Sequence, residues 1–195
     1  MRFSIRTTIL FILMGTVLAG CAVQSEHMLT LKETPGIVTA PPADKATMVF
    51  YRSSPLGGAV QASVFDISGD KTELVGIVSS GTKIAYTISP GSSRFMVIGE
   101  SADFLDVNAA AGKVYYSLVA PRFGVWKARF SLKAKPVTDP SLSEELAQCK
   151  WVQNTKSAKD WASANMSSVL EKQNEYIGEW LQKPNRPILN PQDGR

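Results

Sequence analysis

The chain has 195 residues, 21 of them basic and 17 acidic, for a net charge of +4. Two of the basic residues, Arg2 and Arg6, belong to an N-terminal leader, so the remainder carries about +2 and gives no argument for nucleic acid as a partner. The single histidine, His27, excludes His-based catalytic triads and every metal site needing two histidines.

The leader comes first. Arg2 and Arg6 precede an apolar stretch from Ile9 to Leu18, then Ala19 and Gly20, which is a signal-peptide plan. A membrane span needs about 20 predominantly apolar residues, roughly twice this run. The junction Leu18-Ala19-Gly20-Cys21 resembles the lipobox of bacterial lipoproteins. That resemblance implies acylation of Cys21 by chains such as palmitate and cleavage just before it. Each buried methylene is worth about 0.8 kcal/mol, so several chains on one cysteine anchor firmly. In such lipoproteins an aspartate after the cysteine signals inner-membrane retention; Ala22 stands there, which favours the outer membrane, facing the periplasm.

Residues 21–45 read as a tether: polar, bearing Pro35-Gly36 and Pro41-Pro42, and without sustained periodicity. Met28 to Leu31 is its most ordered piece and could add an edge strand. From Ala46 the pattern changes to short β-branched and aromatic runs with turn residues every 8 to 12 or so positions. The predicted strands are Thr47 to Arg52, Val60 to Ile67, Glu73 to Val78, Lys83 to Ile88, Ser93 to Gly99, Asp103 to Asn108, Lys113 to Ala120 and Phe123 to Leu132. In the fourth, Ile84, Tyr86 and Ile88 share one face, and Lys83, Ala85 and Thr87 the other. The expected fold is therefore mainly β: an antiparallel β-sandwich of about seven or eight strands over residues 46–135, followed by a C-terminal helical extension. About 90 residues bury enough area to fold without metal or disulfide.

In residues 136–195, Asp139-Pro140 predicts a helix start leading into Leu142 to Lys150. A second helix is expected from Ser157 to Leu181, where Ala158, Trp161, Ala162, Met166, Val169, Leu170, Ile177, Trp180 and Leu181 recur at three- and four-residue steps. Pro184 and Pro187 end it, leaving an extended tail.

Chemistry-bearing residues are few. Glu100, Asp103 and Asp106 gather near one turn and are the weak candidates for a hard cation, although they lack the dense acidic, glycine-bearing loop of a dedicated site. Solvated turn residues are the competing reading. Tyr115 and Tyr116 are adjacent on a strand, so one faces the core and the other outward; an outward Tyr116 near Trp126 could stack on a sugar, a peptide or a partner protein. Cross-strand packing accounts for the same residues. Once Cys21 is acylated, Cys149 is an unpaired thiol, either buried, reactive or joined to another molecule.

The strand Ala46-Thr47-Met48-Val49-Phe50-Tyr51-Arg52, the loop at Gly57-Gly58, the turn Ser89-Pro90-Gly91, and then Cys149-Lys150-Trp151, Trp161-Ala162, Trp180-Leu181 and the tail from Pro187 to Gly194 resemble a group of uncharacterised bacterial lipoproteins. Their domain of unknown function looks like a prealbumin-like or immunoglobulin-like sandwich. The resemblance implies envelope location and fold, and no catalytic residue or cofactor. The expectation is a lipid-anchored, non-catalytic interaction module touching the membrane and an envelope protein. A small-ligand or cation binder and a carboxylate enzyme are the alternatives; the oligomeric state is left open.

Overall fold

A computed structural model describes residues 25–124 and 128–195; Cys21 and Trp126 lie outside the described residues. In chain order the elements are β1 (Met28–Thr30), α1 (Gly36–Thr39), β2 (Ala46–Arg52), β3 (Ala62–Asp66), β4 (Glu73–Val78), β5 (Thr82–Ile88), β6 (Gly91–Ile98), β7 (Ala102–Ala109), β8 (Val114–Arg122), β9 (Arg129–Lys135), α2 (Leu142–Ala147), β10 (Lys150–Asn154), α3 (Lys156–Leu181) and β11 (Ile188–Leu189). Six strands form one sheet in the order β1-β10-β5-β2-β8-β9, and five form the other, β11-β7-β6-β3-β4.

The fold is mainly β with a C-terminal helix, but it departs from the expected antiparallel sandwich of seven or eight strands. Eleven strands are present among the described residues, and both sheets are mixed. Neighbours joined by short connections (β3 with β4, β6 with β7, β8 with β9) are antiparallel. The parallel pairs, β2 with β8, β10 with β5 and β11 with β7, join segments far apart in sequence, as parallel geometry requires.

Between the sheets lies the main core, with Phe50, Val64, Phe95, Leu105, Tyr115 and Phe130 fully buried; Phe50 and Phe95 meet edge to face at 5.0 Å. Both outer sheet faces are also covered. On the six-stranded sheet, Val49, Tyr51, Val114 and Tyr116 pack with Val38 of α1, Leu142 of α2 and Cys149. On the five-stranded sheet, Phe65, Met96 and Phe104 pack with Ala162, Val169 and Trp180 of α3. Sandwiched on two sides, β2 is buried at every position and reads as a largely apolar run broken by Thr47 and Arg52.

Two boundaries move. The expected tether joins the fold from Ser25 onward: the buried Ser25 donates its N–H to Ser79 Oγ at 3.2 Å, β1 pairs with β10, and Thr47 Oγ1 donates to the Ile37 carbonyl at 2.8 Å. Met28 and Val38 are too sparsely spaced to show a period, yet each fills a site on a sheet. His27, within the expected tether, has its Nδ1 3.1 Å from Ser157 Oγ and its ring beside Trp161.

Nor are residues 136–195 an appended extension, since β10 and β11 are built into the two sheets. α2 stops at Ala147, and Lys150–Asn154, expected in part as helix, is the strand β10; Trp151 and Val152 suit a half-buried sheet better. Ser141, not Asp139, is the N-cap of α2; Asp139 instead closes the preceding turn, accepting from the Ser141 N–H at 2.9 Å and its hydroxyl at 2.7 Å. The tail ends in a 3-10 turn at Pro191–Asp193 and an exchange of backbone hydrogen bonds between Arg195 and Val114. Among the described residues, no helix is long and apolar enough to cross a membrane.

Candidate functional site

The β6–β7 hairpin places Arg94 directly opposite Asp106, and Ser92 opposite Asn108. Register turns these pairs into contacts. Arg94 grips Asp106 with two donors, Nε at 2.6 Å and Nη2 at 3.2 Å, and Ser92 Oγ donates to Asn108 Oδ1 at 3.0 Å. Ser68, from the β3–β4 loop, accepts the Arg94 N–H at 2.9 Å and donates its hydroxyl to Asp66. Ile188 of β11 walls the other side, giving an open groove of about 310 Å³ lined by these residues and by Ile67, Ser93 and Val107. Arg94 also lies 5.3 Å from the Trp180 ring centre, which fixes the guanidinium from behind. The groove is a bed of oriented hydrogen-bonding groups with apolar edges, suited to a polar ligand or an extended peptide.

The three carboxylates singled out in the sequence do not converge. Asp106 is held by Arg94, and Glu100 pairs with Arg129 at 2.7 Å. Asp103 lies on the strand face shared with Leu105 and Val107, whereas Asp106 shares the opposite face with Phe104. No group of three or more His, Cys, Asp or Glu residues is placed to hold a metal among the described residues.

Tyr115 and Tyr116 do face opposite sides of β8, but the outward side is covered: Tyr116 is buried, with the Arg195 guanidinium 5.4 Å from its ring centre. Burial raises its pKa against the lowering influence of Arg195. Its surroundings leave no open stacking face, and Trp126 lies outside the described residues.

Cys149 is a buried free thiol that donates to the Glu145 carbonyl at 3.4 Å. Burial pushes its pKa up to about 11, so at neutral pH it is a thiol rather than a nucleophilic thiolate. Nearby is a polar cluster that no single motif announces. Lys135 Nζ donates to Ser141 Oγ at 2.7 Å and pairs with Asp139 at 2.9 Å and Glu145 at 3.2 Å, and Tyr51 donates to Glu145 Oε2 at 2.5 Å. Burial lowers the Lys135 pKa, but hydrogen bonds to Asp139 and Glu145 and their charges outweigh it and leave the group raised. Asp139 is correspondingly lowered to about 2, chiefly by its hydrogen bond from Lys135. A serine beside a lysine resembles a catalytic dyad in outline, yet a lysine held protonated is no base for Ser141.

The sequence reading missed Arg94, Ser92, Asn108 and Ile188. The signal was present for three of them. Positions 94 and 106, like 92 and 108, are equidistant from Glu100, so a tight hairpin centred there makes them cross-strand partners. Ile188 had none, because a two-residue strand carries no period.

No family model matches this sequence and no curated protein is similar to it. Among solved structures, the chain has a neighbour described as the NMR structure of a protein from Eubacterium rectale, at 13% identity over 47% of this chain and 88% of that one, with a TM-score of 0.30. A likeness at that level bears on neither fold nor function.

Proposed function

We propose that this protein is a lipid-anchored component of a bacterial envelope, facing the periplasm from the outer membrane, that acts as a non-catalytic binding module. The observation that carries the module reading is the double covering of the sandwich: α1 and α2 close one outer sheet face and α3 closes the other. What a partner can reach is therefore the loops at the sandwich ends and the polar groove beside β11. The lipobox-like junction at Cys21 and the resemblance to envelope lipoproteins support the location. The non-catalytic part draws on protonation: Cys149 is held as a thiol, and Lys135 as an ammonium beside Ser141.

A photo-crosslinking residue at Asn108, in the groove, is expected to capture a discrete envelope protein in intact cells, while the same residue at the exposed Lys159 on α3 captures none. Equal capture at both sites, or none at either, defeats the groove as a protein-contact surface.

The Arg94–Asp106 fork with its flanking serines favours a second reading, a small polar ligand in the same groove. A muropeptide or sugar bound there at 100 times its Kd should add about 2.7 kcal/mol of stability. A melting temperature unmoved across such a panel removes it.

A further inference from the structure

Residues that enter the fold from the proposed anchor do so beside one particular end of the sandwich. Ser25 is bonded to Ser79 Oγ, and the next two residues of that loop bind the end of β2: Ser80 Oγ donates to the Ser54 carbonyl at 3.0 Å and the Gly81 N–H to the Arg52 carbonyl at 2.8 Å. β8 runs parallel to β2 and overshoots it, so the β8–β9 connection emerges at the same end. There the loop after β2 rests against it: a Cβ added at Gly57 would lie 3.2 Å from that of Ala128.

This end exposes two large apolar side chains, Phe123 at 87% and Leu56 at 45%. Its described loops, residues 31–35, 53–61, 79–81, 99–101, 122–124 and 148–149, contain two acidic residues, Glu33, which follows Lys32, and Glu100, which is paired with Arg129. Arg122 is exposed and has no carboxylate partner among the described residues. An exposed aromatic and leucine beside arginine is the composition of a membrane-interface surface, where the ring enters the acyl boundary and the cation meets anionic headgroups. Three residues separate Cys21 from Ser25, and the four steps between them span at most about 14 Å. A leash that short holds this end against whatever surface carries the acyl chains.

We propose that the end of the sandwich bearing Leu56, Arg122 and Phe123 is a lipid-docking surface that seats the domain on an anionic phospholipid bilayer in a fixed orientation. The inference rests on the anchored-lipoprotein reading and adds to it a second, side-chain contact with the membrane. Two weak attachments on one body act together, so the tip needs little affinity of its own once the acyl chains are inserted.

The test uses the membrane-extracted protein reconstituted into vesicles of phosphatidylethanolamine and phosphatidylglycerol. Phe123→Cys and, separately, Leu170→Cys carry an environment-sensitive fluorophore; Leu170 is exposed on α3. The buried Cys149 does not compete for the label. Fluorescence at position 123 is expected to be quenched by spin-labelled lipid and to be at least about threefold less accessible to iodide than at position 170. Equal accessibility at the two positions overturns the proposal. Intact mass of the same sample separates the two claims: an acylated chain with an accessible probe at 123 keeps the anchor and removes the docking surface. An unacylated chain with a shielded probe removes the anchor and keeps the surface.

Discussion

The guanidinium of Arg52 lies 4.8 Å from the ring centre of Phe130 while its Nη1 donates to the Val60 carbonyl at 2.7 Å and its Nη2 to those of Leu56 at 2.7 Å and Gly57 at 2.8 Å. Arg52 is fully buried, and no carboxylate among the described residues pairs with it. A cation is thus solvated by an aromatic face and three loop carbonyls, and the loop is shaped by the cation it solvates. Gly57, at φ 64°, supplies the left-handed turn that brings these carbonyls inward.

Arg52→Met keeps much of the bulk but strands those carbonyls. The expected loss is about 3 kcal/mol, at about 1 to 3 kcal/mol for each acceptor left unsatisfied, partly relieved by water. Arg52→Lys should recover little, because an ammonium cannot reproduce the planar fork. Urea denaturation reads the loss; limited proteolysis should show new cleavage within 53–60 in both variants.

Tyr51, Lys135 and Glu145 stand or fall together. Tyr51→Phe removes one hydrogen bond to a carboxylate and should cost about 2 kcal/mol. Lys135→Met leaves Glu145 and Asp139 facing each other without their shared cation and should cost about 3 kcal/mol. The double variant is expected to cost less than the sum, since both act on Glu145; additive losses in chemical denaturation would mean the groups are uncoupled.

Alkaline pH should weaken the fold in a defined window. The Cys149 pKa is raised by burial from 9.0 to about 11, so the folded state favours the protonated thiol. That contribution is complete below pH 9 and is lost as pH climbs through 11. Lys135, also raised above its ordinary value by its hydrogen bonds and charge pairing with Asp139 and Glu145, adds a contribution that is lost as pH rises through its own folded-state pKa. Melting temperature is expected to fall between pH 9 and 11, and Cys149→Ala to flatten that slope. At neutral pH the thiol should react with a disulfide reagent only as fast as the protein opens.

Trp180 holds α3 to its sheet. It is buried between Phe104, at 5.5 Å, and the guanidinium groups of Arg94 and Arg186, each 5.3 Å from its ring centre. Trp180→Ala should cost about 4 kcal/mol and speed amide exchange along the last turns of α3 before the sheets themselves open.

Legibility in the sequence followed locality. Seven of the eight central strand segments announced themselves to within two residues, because alternation and turn residues act within ten positions, whereas β9, expected over Phe123 to Leu132, runs from Arg129 to Lys135; α3 was visible because its stripe repeats over 26 residues. β1, three residues long, forms within the Met28 to Leu31 segment expected as a possible edge strand, whereas β11, two residues long, exists only because β7 offers an edge, and no local signal precedes it. The parallel neighbours were invisible for the same reason. Tyr116 illustrates the limit well. Strand alternation put it on the far face from Tyr115, but whether that face meets water depends on helices and a tail that come from elsewhere in the chain. The carboxylates failed as a cluster because proximity in sequence on a strand separates faces, while the Arg94–Asp106 pair, twelve residues apart, is brought together by a hairpin.

The bonds between Arg195 and Val114 and the pairing of β11 with β7 are made by segments that follow the central strands in the chain, and β1 waits on β10 for its partner. While a ribosome adds about 5 to 20 residues each second, the central strands emerge with β1 unpaired and with β5 and β7 still lacking their neighbours β10 and β11. Each sheet is therefore completed from its C-terminal side, and the fold closes only once β10 and β11 have been made.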